Sequence, residues 1–241
     1  MLFAVYVDVL VYRLKSANIG CKMFDIYYGC LLYADDIVLL AHTVNGMQQM
    51  LNICTEYGVD YDVKFNDMKS VAMRVGPRFN VACKPLDLDG KPLRFVDSVK
   101  YLGVSIVAWR YLRCSFEHVK LKFFRVFNCI YAKSKAAGSE INTVELFKSY
   151  CLPHITYACE ALPFSKTDIL RLDNLIVRAV CRIFNVRSRE NIDCLRSHFN
   201  LPQLGDIIQR RKQRFMDQLI VLDHFEPVLR SMTYSVFSVL S

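Results

Sequence analysis

Glycine and proline are scarce in this chain, at nine and seven of 241 residues, which excludes collagen-like and linker-rich architectures. No internal repeat and no low-complexity segment interrupts it. Long hydrophobic runs are also missing. The longest falls well short of the roughly 20 residues that a spanning helix requires, so no membrane partner is expected. The opening Met1-Leu2-Phe3-Ala4-Val5-Tyr6-Val7 is apolar, but no basic segment precedes it and Asp8 interrupts it, which excludes a secretory signal. An apolar, patterned start is itself unusual, because chain ends are more often polar and frayed.

The ten cysteines, at 21, 30, 54, 83, 114, 129, 151, 159, 181 and 194, include no C-x-x-C pair. A chain of this length needs no covalent staples, and most of these residues lie in apolar runs. They read as reduced, buried thiols of an intracellular protein, with nothing to assign it to nucleus or cytoplasm. A zinc site can be assembled from Cys151-x-x-His154 and Cys194-x-x-x-His198, but both pairs fall in helical patterns that packing already explains.

What is present is a globular composition, with 53% hydrophobic and 22% charged residues. At about 150 residues per domain the length allows one or two domains. The net charge is +8, and it is unevenly placed. Residues 1–110 carry 12 basic and 11 acidic side chains, for a net of +1, whereas residues 111–241 carry 19 and 12, for +7. A basic surplus suits a polyanionic partner without defining a reaction.

The first half mixes helix and strand patterns. Phe3, Tyr6, Leu10 and Leu14 predict a helix over 2–15. The apolar runs 27–33 and 37–41 have strand length, and only Ala34-Asp35-Asp36 separates them, which predicts a β-hairpin with carboxylates at its tip. Thr43 or Asn45 can cap a helix whose Met47, Met50, Leu51, Cys54 and Tyr57 share a face and whose end Gly58 marks. Strands are expected over 69–75 and 100–107, with Leu88-Asp89-Gly90-Lys91 as a turn between them. The second half reads as helices throughout. Phe116, Val119, Phe123, Phe127 and Ile130 recur at helical spacing, as do Ile169, Leu172, Ile176, Val180 and Ile183, with Pro153, Pro163 and Pro202 as punctuation. Arg171, Arg178 and Arg182 form a stripe opposite the second of these apolar faces, extended by Arg187 and Arg189. Arg210, Arg211, Lys212 and Arg214 form a second cluster. Such faces fit an element that tracks phosphates without reading sequence; for any single arginine a solvated helix face is the better reading, and it is the half as a whole, at +7, that favours nucleic-acid contact.

Asp35 and Asp36 carry the chemistry. Adjacent carboxylates repel, and charge beside an apolar core is costly unless compensated. Mg²⁺ compensates well, because it favours one or two carboxylates together with substrate phosphates. A bare Asp-Asp between strands is also compatible with an ordinary hairpin tip facing water.

The surrounding sequence resembles a known family. Tyr33-Ala34-Asp35-Asp36 is similar to motif C of reverse transcriptases, in the form typical of non-LTR (LINE-type) retrotransposons. Phe65-Asn66-Asp67-Met68-Lys69-Ser70 resembles the Asn-x-x-Lys-Ser/Thr element of motif D. Val99-Lys100-Tyr101-Leu102-Gly103-Val104 resembles the Tyr-Leu-Gly element of motif E, the primer grip. Residues 152–160 and the arginine-rich helices beyond them resemble the region after the palm.

The resemblance implies an enzyme class that polymerises DNA on an RNA template, with a DNA primer and deoxynucleotide triphosphates as further partners. It implies that Asp35 ligates the catalytic Mg²⁺ ions with Asp36 beside it, and that Tyr33 and Ala34 lie close to the primer end. Lys69 would sit near the triphosphate and protonate the leaving pyrophosphate; its position alone suits a solvated lysine opening a strand equally well. Tyr101, Leu102 and Gly103 would help hold the primer backbone, although the same residues suit a buried strand with a close-packing glycine.

The family also needs a motif A carboxylate on a separate strand and a glycine-containing motif B. Met1 to Asp8 resembles the helix that follows motif B, so the chain is expected to begin after both. Asp8 and Asp25 sit in no strand pattern of their own and are poor substitutes. The expected architecture is α+β, with a partial palm over 1–110 and a helical, basic, thumb-like region over 111–241. Without the motif A carboxylate the chain alone is expected not to polymerise, since a two-metal site draws several kcal/mol of charge stabilisation from its ligands. Two other readings stay open: a non-catalytic nucleic-acid-binding remnant, and a helical interaction protein whose Asp-Asp hairpin is a coincidence.

Overall fold

The helical stripes predicted near the start of the chain form its first core. A computed structural model describes residues 2–23 and 26–221, and side chains within 6–23, 26–135 and 138–220. Asp25 and the side chain of Phe3 therefore lie outside the described residues. The fold is α+β, and the chain divides into two compact units. Among the described residues the first comprises those up to 99 together with 108–111, and the second comprises 100–107 and 112–221.

In the first unit, α1 (Leu2–Ser16) buries Val7, Leu10 and Leu14. Tyr6, expected on this stripe, is instead 53% exposed. The buried stripe is set by Val7, which lies three residues before Leu10 and seven before Leu14. Two short strands, β1 (Lys22–Met23) and β2 (Ile26–Tyr27), pair antiparallel, and the hairpin β3 (Cys30–Tyr33) and β4 (Asp36–Leu39) follows. The expected strand over 27–33 is thus divided between β2 and β3.

The next helix, α2 (Val44–Tyr61), starts where the Thr43 hydroxyl accepts the Gly46 amide at 3.0 Å, and it buries Met50, Leu51, Cys54 and Tyr57. It does not stop at Gly58. It runs on to a left-handed cap at Asp62 (φ 52°), whose amide donates to the Gly58 carbonyl. Gly58 is needed for close approach, because a Cβ there would lie 2.7 Å from the Val63 carbonyl oxygen.

Downstream, β5 (Val71–Ala72) pairs in parallel with β8 (Arg94–Phe95), and β6 (Asp87–Leu88) pairs with β7 (Lys91–Pro92) around the Asp89-Gly90 turn. The strand expected over 69–75 shrinks to two residues. Its first part is taken by a turn in which the Lys69 amide donates to Asn66 Oδ1 at 3.0 Å and the Ser70 amide to the Asn66 carbonyl at 2.9 Å. The Gln48 side chain satisfies both backbone groups of Asp87, at 2.9 and 2.8 Å, and so ties α2 to β6 as a neighbouring strand would.

Strand β9 (Ser98–Tyr101) leads into the second unit, where β10 (Val104–Val107) lies between β9 and β11 (Arg113–Ser115). The single strand expected over 100–107 is therefore two strands and a turn. Residues 113–115 likewise add a strand to the half expected to be all helical. Six helices follow: α3 (Glu117–Ala137), α4 (Glu140–Tyr150), α5 (Leu152–Ile155), α6 (Lys166–Phe184), α7 (Arg189–His198) and α8 (Leu204–Val221). Phe123, Phe127 and Phe147 meet at the centre, with Phe147 edge-on to both partners at 6.0 and 6.1 Å. Helix α6 starts with a capping box between Ser165 and Asp168 and buries Leu172, Leu175, Ile176, Ala179, Val180 and Ile183.

Arg196 of α7 is buried and makes a two-pronged ion pair with Asp173 of α6 at 2.8 and 2.9 Å. It also donates to the carbonyls of Leu201 and Pro202. Asp173 in turn accepts the Leu204 amide at the start of α8. One buried pair thus ties the end of α7 and the start of α8 to the middle of α6, and leaving either charge alone there would be costly.

All ten cysteines are free. Cys54, Cys114, Cys151 and Cys159 are buried as expected, but Cys129 and Cys194 are exposed on the outer faces of α3 and α7. Among the described residues no group of three or more His, Cys, Asp or Glu side chains forms a metal site, which leaves the zinc pairing without a structural basis. No helix among them is long and apolar enough to cross a membrane.

Candidate functional site

The strand register defines the hairpin tip. Tyr33 pairs with Asp36, Leu32 with Ile37, Leu31 with Val38 and Cys30 with Leu39. Only Ala34 and Asp35 remain as the turn, so Asp36 opens β4 and is not a third turn residue. Residues directly opposite across a ladder share a face, which places Tyr33 and Asp36 on the same side of the hairpin. Ala34 makes this turn with φ at 51°, in the left-handed region that disfavours a residue bearing Cβ. Asp35 and Asp36 are both exposed, and among the described residues neither joins an ion pair.

The tip therefore offers carboxylate oxygens to solvent, with no ion-pair partner among the described residues. Such hard oxygen donors fit a Mg²⁺ ion, which accepts one or two carboxylates and keeps several waters. Asp35 and Asp36 would hold the ion, which would supply charge neutralisation for phosphate groups.

Lys69 belongs to the same unit, immediately before β5. The Asn66 turn fixes its backbone, and its side chain is exposed with no ion pair among the described residues. Nearby, Asp67 pairs with Lys91 at 2.8 Å, and this contact holds its carboxyl below the ordinary carboxylate range. Among the described residues no hydrogen bond or ion pair links Lys69 to either aspartate of the hairpin.

Tyr101, Leu102 and Gly103 lie in the second unit. Tyr101 ends β9, half-buried, while Leu102 and Gly103 form the β9–β10 turn and are exposed. Leu102 and Gly103 thus sit in an exposed turn and not in a strand, while Gly103 does pack closely, against the Tyr157 ring. Both turn residues are left-handed, with φ of 45° and 81°. Their carbonyls are engaged from the helical region: Tyr157 Oη donates to Leu102 O at 3.0 Å, and His118 Nε2 lies 3.2 Å from Gly103 O. The Ser105 hydroxyl lies 3.2 Å from His118 Nδ1. A carbonyl only accepts, so Nε2 donates to Gly103, and the Ser105 hydroxyl is the partner of Nδ1. Behind the turn, His118, His154 and Tyr157 line a cavity of about 20 Å³, room for a water molecule and not for a nucleotide. Burial and Lys122 shift His154 toward its neutral form.

Sequence reasoning missed His118 and Tyr157. They stand 15 and 55 residues from their partners; Tyr157 falls in the 152–160 segment singled out above, but nothing local ties it to the Leu102-Gly103 turn.

The basic residues do not form one free stripe. Arg171 and Arg178 are exposed on α6, but Arg182 donates to Asn128 Oδ1 at 2.8 Å and lies 4.8 Å from the centre of the Tyr131 ring. On α8, Arg211 donates to the Thr156 carbonyl at 2.9 Å, and Arg210 Nε donates to the Asp206 carbonyl at 3.3 Å. Lys212 is half-buried and Arg214 exposed. Arg182 and Arg211 thus belong partly to the packing of their own unit.

Comparison with known proteins finds a likeness at a distance. No family model matches the chain. The chain is distantly similar to the RNA-directed DNA polymerase from mobile element jockey of Drosophila melanogaster, at 22% identity over 205 residues. The match covers 78% of this chain, more than either unit contains, so it runs through both. It covers 22% of the relative, so the chain spans about a fifth of that protein's length.

Proposed function

We propose that this chain is part of a non-LTR retrotransposon reverse transcriptase, the segment that carries motifs C, D and E of the palm and a thumb-like helical region. The observation that carries this reading is the Tyr33–Asp36 hairpin. Its two-residue turn holds Ala34 at a φ of 51° and presents two neighbouring carboxylates that join no ion pair among the described residues. Distant similarity to a mobile-element polymerase along most of the chain supports the same reading.

In this reading Asp35 and Asp36 hold Mg²⁺, Tyr33 and Ala34 border the primer end, and Lys69 faces the leaving phosphates. Tyr101, Leu102 and Gly103 contact the primer backbone. Arg171, Arg178, Arg182, Arg210, Arg211, Lys212 and Arg214 follow the phosphates of an RNA–DNA duplex. Two carboxylates are fewer than a two-metal site uses, so a further acid completes it in the active polymerase and these 241 residues alone do not extend a primer.

Binding of the purified chain to a labelled RNA–DNA hybrid tests the reading. Phosphate contacts release counter-ions, so with four or five such contacts affinity should fall about 100-fold or more between 50 and 200 mM salt. Substituting Arg171 and Arg178 together by Gln should flatten that slope. Affinity that ignores salt, or a slope unchanged in the double variant, would sink the nucleic-acid reading. A helical protein with a coincidental hairpin would behave in that way.

A further inference from the structure

The turn between β9 and β10 is strained and pinned at once. Hairpin turns with two left-handed residues favour Asn-Gly or Asp-Gly, as at Asp89-Gly90 in the first unit, where φ is 54° and 73°. At Leu102-Gly103 the first position is filled by leucine, which has no polar side chain to stabilise the conformation locally. Such a residue persists only where its surroundings over-determine it. Here the surroundings are visible. Both carbonyls of the turn accept side-chain donors, Leu102 from Tyr157 and Gly103 from His118. The Tyr157 ring also lies against Gly103 so closely that a Cβ there would sit 3.2 Å from it. Ser105, one residue past β10's start, orients His118 from its other nitrogen.

We propose that Tyr157 and His118, with Ser105 behind His118, are positioning residues that lock the Leu102-Gly103 turn in its left-handed form and so set the surface the primer end meets. The proposal rests on the polymerase reading above. The donors take up both outward carbonyls of the turn. A carbonyl oxygen left free at the tip would face a phosphate backbone with its negative partial charge, whereas one that accepts a side-chain donor has that charge partly offset. The device also explains why the turn tolerates leucine: the clamp replaces the local hydrogen bonding that an asparagine or aspartate would bring.

Two substitutions that each delete a single hydroxyl test the clamp with little risk to folding: Tyr157→Phe and Ser105→Ala. Binding by the full 241-residue chain would be compared on two RNA–DNA hybrids of equal length, one with a recessed DNA 3′ end and one blunt. The wild-type chain should prefer the recessed end. Tyr157→Phe should reduce that preference about five- to tenfold and Ser105→Ala about two- to threefold, as expected for one lost hydrogen bond and one loosened partner. Affinity for the blunt hybrid should be unchanged in both, an outcome that general loss of structure would not produce. Variants that keep the full wild-type preference overturn the clamp and leave the polymerase reading intact. A wild-type chain with no preference between the hybrids removes the role of the turn at the primer end, and the clamp proposal with it. Hydrogen exchange at the Val104 amide gives a check that needs no nucleic acid: it should quicken in Tyr157→Phe, and equal rates would also count against the clamp.

Discussion

Ala34 is where the hairpin concentrates its strain. The left-handed conformation costs an L-residue about 1–2 kcal/mol relative to glycine, and glycine returns about 0.5–1 kcal/mol of that through its looser unfolded state. Ala34→Gly should therefore raise the unfolding free energy by about 0.5 kcal/mol, read as a shift of the urea midpoint without a change in slope. A lower midpoint would mean that the alanine methyl group is held by contacts that outweigh its φ of 51°. The string Tyr-Ala-Asp-Asp was legible in the sequence, but the turn length was not. Nothing local distinguishes an Asp36 that tips the hairpin from one that pairs with Tyr33. The ladder register decides it, and register is set by the whole apolar pattern of both strands. Arg196 shows the same limit with opposite consequences. In the sequence it is one of 19 basic residues in the second half. In the structure its charge is spent on Asp173, and it contributes nothing to a basic surface.

Among the elements, those with long apolar periodicity were read closely and those built from two-residue pairings were not. Helix α6 repeats its apolar residues over five turns, so its span could be anticipated. Strands such as β5 and β8 owe their existence to pairing with a segment more than 20 residues away. Helix α2 shows how a contact overrides propensity. Glycine in a helix interior is unfavourable by about 1 kcal/mol relative to alanine, which is why Gly58 reads as a stop. The helix nevertheless continues to Tyr61, and the chain folds back so that the Val63 carbonyl would lie 2.7 Å from a Cβ at position 58. Backbone cannot yield there as a side-chain tip could. Gly58→Ala should therefore destabilise the protein by about 1–2 kcal/mol, because overpacking of this kind costs about 1–3 kcal/mol and exceeds the propensity gain. Thermal unfolding followed by far-UV circular dichroism would show the sign, and a higher melting temperature would refute the close approach.

For the whole molecule, the ten free cysteines have a further physical consequence. The free thiols of Cys54 and Cys151 are pushed up to about 12 by burial, and that of Cys30 to about 11, from an ordinary value of 9.0. Burial also raises the Tyr27 hydroxyl to about 12, with Cys30, Cys21 and Cys54 adding to the shift. Each of these groups is neutral when protonated, and the fold favours that form. Below pH 9 the folded and unfolded chains bind the same protons and the stabilisation is complete. Above pH 9 the unfolded chain releases protons that the folded chain retains, so stability falls with rising pH until the folded groups themselves ionise. For the well-buried Cys54 the loss approaches about 1.4 kcal/mol per pH unit in that window. Melting temperature should hold nearly level from pH 7 to 8.5 and then drop steeply between pH 9 and 10.5. Cys54→Ala should lower the plateau, because it leaves a small cavity in the core, yet make the alkaline drop shallower. Every other group is common to both proteins, so the difference between the two slopes isolates the thiol. An alkaline slope identical in wild type and Cys54→Ala would show that the buried thiol is not what fails. The same burial predicts a division of reactivity. A thiol reagent at neutral pH should label Cys129 and Cys194 in the folded protein and reach Cys54 and Cys151 only after unfolding.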